Sequence, residues 1–159
     1  MRINGRRMMM ARMLDDMYAR IDDAVAREII LKNWGEADGK HVLVSKLAAV
    51  TTLRDKFKNT AIKNIDWLRY FSGLTSIGGG AFSGCTSLAL TSLPEGLISI
   101  EAYAFNGCTS LVLTSLPSGL AWLGPHAFRG CTSLALTSLP EGVTSIGEYT
   151  FFNCSNLAL

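Results

Sequence analysis

Four cysteines are the residues whose type and spacing are most open to chemistry in this chain. They recur once every 23 residues, at Cys85, Cys108, Cys131 and Cys154. Zinc ligands must converge on one tetrahedral point and usually come in close pairs such as CxxC. One cysteine per repeat instead predicts a straight ladder with neighbours about 4.8 Å apart, which suits neither zinc nor the torsion of a disulfide. We therefore expect buried free thiols, with no metal site and no cofactor.

Two other groupings invite a chemical interpretation. His126 lies five residues before Cys131, but no acidic residue close in sequence would orient the imidazole of a nucleophile–base pair. Gly78–Gly80 lacks the Lys-Ser/Thr that follows in a phosphate-binding loop, and the same positions of the next two repeats read Glu101-Ala102-Tyr103 and Gly124-Pro125-His126. A permissive turn explains the three glycines. The sequence therefore predicts no catalytic site and a protein that is not an enzyme.

The elements that must position these residues are copies of one repeat. Residues 84–96 read GCTSLALTSLPEG, residues 130–142 are identical, and residues 107–119 differ at two positions. A unit of 23 residues cannot bury its own apolar face, whereas stacked copies can, so the period predicts a solenoid of short strands and turns. LALTSLP and LTSI are predicted as the extended pieces, with Leu88, Leu90 and Leu93 facing inward. GAFSGC is predicted as a tight turn that directs Phe and Cys inward.

The chain changes composition near residue 73. Residues 1–73 hold 14 Lys and Arg against 9 Asp and Glu, whereas residues 74–159 hold one Arg and four Glu. No apolar run approaches the roughly 18 residues of a membrane span, and no signal peptide is evident at the N-terminus. The basic start MRINGRR allows the alternative of a nucleic-acid or membrane binder. Mixed charges without interleaved aromatics favour a solvated face instead, so we expect neither partner.

Helical patterns dominate the first region. Apolar residues at helical spacing predict a helix from about Met9 to Lys32, and a second from Ser45 to Phe57. Ile65–Phe71 is predicted as a short helical turn. Because the first turn of a solenoid must be covered, we expect residues 1–73 to form a helical N-terminal cap and residues 74–159 to form about 3.5 to 4 repeats. The fold class is then α+β.

The repeats resemble a known family. LTSIGGGAFSGCTSL, LISIEAYAFNGCTSL, LAWLGPHAFRGCTSL and VTSIGEYTFFNCSNL are similar to the BspA-type leucine-rich repeats. The segment that begins with NWGEADGKHVLVSKL also resembles the N-terminal cap of gut-bacterial members, which contains an EF-hand-like calcium loop. Its ligand positions would here be Gly35, Ala37, Gly39 and Lys46, which offer none of the side-chain oxygens that calcium needs. We expect a degenerate loop that has kept its shape and lost the ion.

Residues at the same position of successive repeats form a column, and the columns that vary between copies supply the candidate binding residues. Aromatic and Arg side chains are the usual anchors of protein interfaces, although singly scattered surface aromatics are normal and form the alternative interpretation. The candidate protein-binding surface comprises Tyr103, Trp122, His126, Arg129, Tyr149 and Phe152.

Together these patterns predict a non-enzymatic protein-binding module. The resemblance implies adhesion at the cell surface or outside the cell, although the chain itself leaves the compartment open. The alternative is a structural or self-assembling component that forms homo-oligomers through its C-terminal edge. Two features favour it: the stack is only about 17 Å long, and the fourth copy breaks off with Leu157 and Leu159 at an open strand edge.

Overall fold

Five short parallel strands form the sheet of this protein. The computed structural model describes Met9 and residues 17–159. The strands are hydrogen-bonded in chain order: β1 Thr52–Leu53, β2 Ser76–Ile77, β3 Ser99–Ile100, β4 Trp122–Leu123 and β5 Ser145–Ile146. Each strand begins one turn of the solenoid, which we call a coil. A coil takes the number of its strand, so coil 1 begins with β1 and coil 5 begins with β5. The register sets Ile77 beside Ile100 and Leu123 beside Ile146, so each coil lies directly on the one before it.

The core repeats from coil to coil. One phenylalanine per coil stacks on the next, with ring centroids 5.4 Å apart from Phe57 to Phe82, from Phe82 to Phe105 and from Phe105 to Phe128. Leu88, Leu90 and Leu93 are buried, as the repeat predicts. Stacking of identical units thus buries the apolar face that a single 23-residue unit would leave in water. The sequence prediction of a repeating inward face is confirmed.

The two predicted extended pieces have different outcomes. LTSI and its copies form the strands of the sheet, as predicted. LALTSLP forms no strand, and the prediction is wrong there. A backbone hydrogen bond from Val112 N–H to the Leu90 carbonyl, 3.3 Å, does join neighbouring copies of this piece. The proline at its end cannot donate to a ladder, so pairing does not extend into a strand.

The first predicted helix is interrupted within the described residues. Helix α1 is Ala24–Trp34, and residues 10–16 of the predicted helix lie outside the described residues. Residues 19–23 are not helical, because the Ala19 N–H donates to the Val42 carbonyl at 3.1 Å instead of entering a helical turn. Asp23 then caps α1 by accepting two N–H groups of its first turn. The prediction of one continuous helix is wrong at this break.

The second helix also ends early. Helix α2 is Val44–Ala48, four residues before β1 begins. The Thr51 carbonyl accepts the N–H of Thr75 at 3.0 Å, so the chain here already pairs with coil 2. Phe57, predicted as the end of a helix, lies buried in coil 1. Sheet pairing has overridden the helical spacing of the apolar residues.

The N-terminal region packs directly against coil 1. A 3₁₀ helix at Asp66–Tyr70 confirms the short helical turn that the sequence predicts. Trp34 meets Phe71 edge-on with ring centroids 5.6 Å apart, and the Lys63 N–H donates to the Asp23 carboxylate at 2.9 Å. The sheet itself begins within the residues predicted as the cap. The division of the chain at residue 73 stays a prediction.

Candidate protein-binding surface

A stack of exposed rings runs along the turn edge of coils 3 to 5. The imidazole of His126 lies between two phenol rings, with its centroid 4.7 Å from that of Tyr103 and 5.3 Å from that of Tyr149. Phe152 meets Tyr149 edge-on at 5.7 Å. The Arg129 guanidinium lies 5.8 Å from the Phe152 ring centroid, within the range of a cation–π contact. We call these five residues the aromatic ladder.

The backbone of the turn builds the ladder. The three stacked residues all have positive φ: 59° at Tyr103, 57° at His126 and 54° at Tyr149. Residues other than glycine rarely adopt this backbone conformation, which costs on the order of 1 kcal/mol per residue. Each aromatic pair returns about 0.5–1.5 kcal/mol. The same column of coil 2 holds Gly80, whose φ of 65° shows that the turn keeps its shape without a side chain.

The ladder is both exposed and ordered by its own contacts. Tyr149 exposes 58% of its surface, Phe152 46% and Tyr103 45%. These rings adjoin one another, unlike the single scattered aromatics that are normal on protein surfaces. The structure thus brings together five of the six residues predicted as a binding surface. Whether they bind a partner stays a prediction.

Trp122, the sixth candidate, lies apart from the ladder. It belongs to β4, where Ser99 and Ser145 flank it on the neighbouring strands. It is 37% exposed, and no ring contact joins it to the ladder within the described part of the chain. Its N–H donates to the carbonyl of Ile98, another exposed apolar residue. The repeat positions that vary between copies therefore lie on two different faces of the stack: the turn edge, which carries the ladder, and the sheet, which carries Trp122.

The cysteines form the ladder of free thiols that their spacing predicts. Cys131 Sγ donates to the Phe105 carbonyl in the preceding coil at 3.1 Å, and Cys108 Sγ donates likewise to that of Phe82. Burial raises the pKa of the Cys131 thiol to about 12, and it raises the pKa of Cys108 as well. A thiol held protonated in this way is a poor nucleophile. Cys131 Sγ donates to a backbone carbonyl, and no hydrogen bond joins Cys131 to His126 in the part of the chain that the structure describes.

The acidic groups of the loop after α1 have partners within the chain itself. Lys46, at the last of the predicted ligand positions, lies with its Nζ 2.8 Å from Glu36 Oε1. The Asp38 carboxylate pairs with His41 Nδ1 at 2.5 Å, and this hydrogen bond lowers the pKa of Asp38 to about 2. No group of three or more His, Cys, Asp or Glu that could hold a metal occurs in the described residues.

The last coil exposes part of the core column. Ile146 is 48% exposed, whereas Ile100 and Leu123, its counterparts in the two coils before, are fully buried. Leu157 is partly buried against the core, and Leu159 is 56% exposed. Both predicted edge residues therefore lie at the end of the stack. No helix in the part of the chain that the structure describes is long and apolar enough to cross a membrane.

A groove beside Tyr103 was not predicted. It encloses about 540 Å³, and coil 1 lines it with Arg54, Asp55 and Lys58. The sequence places these residues in the cap because the 23-residue period stops at coil 2. The step from Phe57 to Phe82, the phenylalanine that stacks on it, is 25 residues and hides coil 1 from an unbroken period of 23. Allowing two inserted residues would have revealed it.

The stacked parallel strands and the repeating leucine core define a leucine-rich-repeat protein. More specifically, the chain belongs to the family of the BspA type leucine rich repeat region, whose model matches residues 52–158 in six copies. The resemblance of the repeats to this family is thereby confirmed. Members of this family generally mediate protein binding or adhesion and are generally non-enzymatic.

Two solved structures resemble this chain. The crystal structure of the T. pallidum leucine rich repeat protein is 30% identical, with a TM-score of 0.50, and the match covers 68% of this chain and 50% of that one. A leucine-rich repeat protein from Bacteroides ovatus is 28% identical, with a TM-score of 0.38, over 53% of this chain and 28% of that one. The match thus spans 50% of the length of the T. pallidum protein and 28% of that of the Bacteroides ovatus protein. No curated protein sequence matches it.

Proposed function

We propose that this chain is a non-enzymatic protein-binding module that docks its partner on the aromatic ladder. The observation that carries the proposal is the continuous stack of Tyr103, His126 and Tyr149 on the turn edge. Large aromatic side chains and Arg supply most of the binding energy of typical protein interfaces. The family relationship supports a protein as the partner.

The ladder is suited to binding because its rings are already immobilised. A side chain that is ordered only on binding costs about 0.5–1.5 kcal/mol. His126 is fixed by a ring on each face, and Tyr149 is fixed by His126 and Phe152. Much of that ordering is therefore already present in the free protein. Adhesion at a cell surface is one setting for such docking.

Site-specific photo-cross-linking tests the docking surface. A benzophenone amino acid replaces Tyr149 in one variant and Val112 in the control, because Val112 is 38% exposed and lies outside the ladder. Irradiation in extract of the cells that make the protein should give discrete protein adducts from position 149 and none from position 112. Adducts of equal yield from both positions would show that the ladder is not the docking surface.

A second candidate function is self-assembly, which the exposed end of the stack favours. Ile146 and Leu159 are about half exposed at the last coil, and β5 is the outermost strand of the sheet that the structure describes. An open strand edge with apolar side chains is a template for another chain. We propose a second copy of this chain as the occupant. Analytical ultracentrifugation of the wild type should then show a dimer that Leu157→Asp or Leu159→Asp abolishes, and a monomer at all concentrations would exclude it.

A further inference from the structure

The aromatic stack stops one coil before the turn geometry does. Gly80 occupies the same column as Tyr103 and His126, and its backbone has the same positive φ. Its N–H donates to the Ala102 carbonyl at 2.9 Å, as the Tyr103 N–H donates to the Pro125 carbonyl at 3.0 Å. One face of the Tyr103 ring therefore lies against His126, while no ring of the described residues lies beside the opposite face.

Asp55 explains why no side chain continues the stack at coil 2. A Cβ at Gly80 would collide with a carboxylate oxygen of Asp55, which leans over the glycine from coil 1. The open face of Tyr103 borders the groove of about 540 Å³ described above, and Asp55 lies on the side of coil 1. The groove thus has an aromatic wall on one side and a hydrogen-bond acceptor on the other.

The rim of this groove is basic, unlike the rest of the repeats. Arg54 and Lys58 line it, and both are exposed. Arg54 also lies 3.7 Å from the Glu101 carboxylate, which partly neutralises it. Lys58 is exposed and lines the groove, and Lys56 is exposed on the same segment. Residues 54–58 carry three cations and one anion, so the rim attracts negative charge.

We propose that this groove binds an aromatic side chain from an acidic peptide segment of the partner. The ring stacks on Tyr103 at the level of Gly80, about one coil spacing away, and a tyrosine hydroxyl there would donate to Asp55. A neighbouring carboxylate of the peptide contacts Lys58. This inference rests on the proposed function, since it names the anchor that a protein partner inserts at one end of the ladder.

The charges of the groove favour this occupant over two others. An arginine side chain would stack on Tyr103 and pair with Asp55, but it would meet the repulsion of Arg54 and Lys58. A nucleotide would stack its base equally well, but a phosphate would lie close to the Asp55 carboxylate, and nucleic-acid binding draws mainly on several phosphate contacts. Both become outcomes of the experiment below.

NMR titration of the ¹⁵N-labelled full chain tests the proposal. The probe is the capped tripeptide Glu-Tyr-Glu, with Glu-Ala-Glu, Lys-Tyr-Lys and Gly-Arg-Gly as controls. We expect saturable shifts of the Gly79, Gly80 and Ser83 amide signals with the first peptide only. Tyr103→Ser should weaken binding about fivefold, as the loss of one aromatic stack implies. The control variant Val112→Ser, at an exposed apolar residue outside the ladder, should leave the affinity unchanged.

A charge reversal at Lys58 tests the proposed ion pair at the rim of the groove separately from the stacking on Tyr103. Lys58→Glu should weaken binding of Glu-Tyr-Glu about threefold, in line with an exposed ion pair. Lys40→Glu makes the same change in charge on the exposed loop after α1 and should have no effect. Equal losses from both variants would mean that only net charge matters and would overturn the proposed contact with Lys58.

Three further outcomes would overturn the proposal. They are equal binding of Glu-Ala-Glu, tighter Tyr103-dependent binding of Gly-Arg-Gly, and tighter Tyr103-dependent binding of a tetrauridylate. Failure of the proposed docking function can be distinguished from failure of the groove proposal. If cross-links form at position 149 while Tyr103→Ser leaves peptide binding intact, the ladder docks a protein but the groove is not its anchor site. If the peptide binds at Tyr103 and position 149 gives no specific adducts, the groove stands without the ladder.

Discussion

The imidazole of His126 lies parallel to the phenol ring of Tyr103, with ring planes 8° apart and centroids separated by 4.7 Å. Its Nδ1 atom is buried and finds no hydrogen-bond partner within the described part of the chain. The ring therefore contributes through its faces, while one polar atom is left unsatisfied. An unsatisfied buried polar group costs about 1–3 kcal/mol, so the stack must offset that loss.

This relationship predicts how substitutions at His126 behave. His126→Phe keeps two stacked contacts and removes the unsatisfied nitrogen, so the free energy of unfolding should stay within about 1 kcal/mol of the wild-type value. His126→Ala also removes that nitrogen but loses both contacts, so its free energy of unfolding should lie about 1–3 kcal/mol below that of His126→Phe. Urea unfolding followed by circular dichroism measures both. A larger loss for Phe than for Ala would mean that a polar contact, not stacking, holds the ring.

The buried thiol of Cys131 predicts a loss of stability at alkaline pH. Its pKa is about 12 in the folded protein, against 9.0 for an unperturbed thiol. The unfolded chain therefore loses a proton above pH 9 that the folded chain keeps, so stability that is complete below pH 9 declines as pH rises toward 12. Between pH 8 and 10.5 the free energy of unfolding should fall by about 2 kcal/mol more in the wild type than in Cys131→Ala. Urea titrations at both pH values measure this, and equal declines would contradict it.

The repeat made most of the fold predictable. Because Phe82 and Leu88 recur at a fixed step, stacking alone dictates that they face inward, and no long-range information is needed. Tyr103 and His126 were found as surface candidates by the same logic, since their column varies while the core columns do not. Their stacking could not be found, because it depends on a positive φ that only Gly80 hints at.

The parts that escaped prediction depend on competition between elements. Apolar spacing favours a helix that runs on to Phe57, but pairing of Thr52–Leu53 with β2 outweighs it. Ala19 leaves the predicted first helix because the Val42 carbonyl is available to it. These outcomes depend on hydrogen-bond partners that are distant in sequence, and the local pattern of apolar residues does not indicate them.

The phenylalanine column predicts a gradient of stability along the stack. Phe105 is fully buried between two parallel rings, whereas Phe151 stacks on a single ring among the described residues and is partly exposed. Phe105→Ala should lower the free energy of unfolding by about 3–5 kcal/mol. Phe151→Ala should lower it by about 1–2 kcal/mol, since less area is buried there. Chemical unfolding compares them, and equal losses would mean that the last coil is as tightly packed as the centre.

Glu101 predicts a contrast between a hydrogen bond and an ion pair. Its carboxylate accepts the Ser76 hydroxyl at 2.9 Å and the Gly79 N–H at 3.1 Å, and it lies 3.7 Å from Arg54. Glu101→Ala leaves the two donors without this acceptor and should cost about 1–3 kcal/mol. Arg54→Ala should cost less than about 1 kcal/mol, because the exposed pair is screened by solvent. Thermal unfolding of both variants measures this, with Glu95→Ala as an exposed control. A larger effect for Arg54→Ala would show that the ion pair dominates.

Two glycines of the repeats predict opposite responses to the same substitution. A Cβ at Gly124 would lie 2.5 Å from the Ala102 backbone nitrogen, where only movement of a whole coil could relieve the clash. A Cβ at Gly119 would come no closer than 3.8 Å to any neighbour. Gly124→Ala should therefore lower the free energy of unfolding by more than about 2 kcal/mol, by forcing coils 3 and 4 apart. Gly119→Ala should raise it by about 0.4–1 kcal/mol, because alanine restricts the unfolded chain. Urea midpoints with unchanged slopes measure both changes. If Gly124→Ala is tolerated, the coils are not packed as closely as the register of β3 and β4 requires.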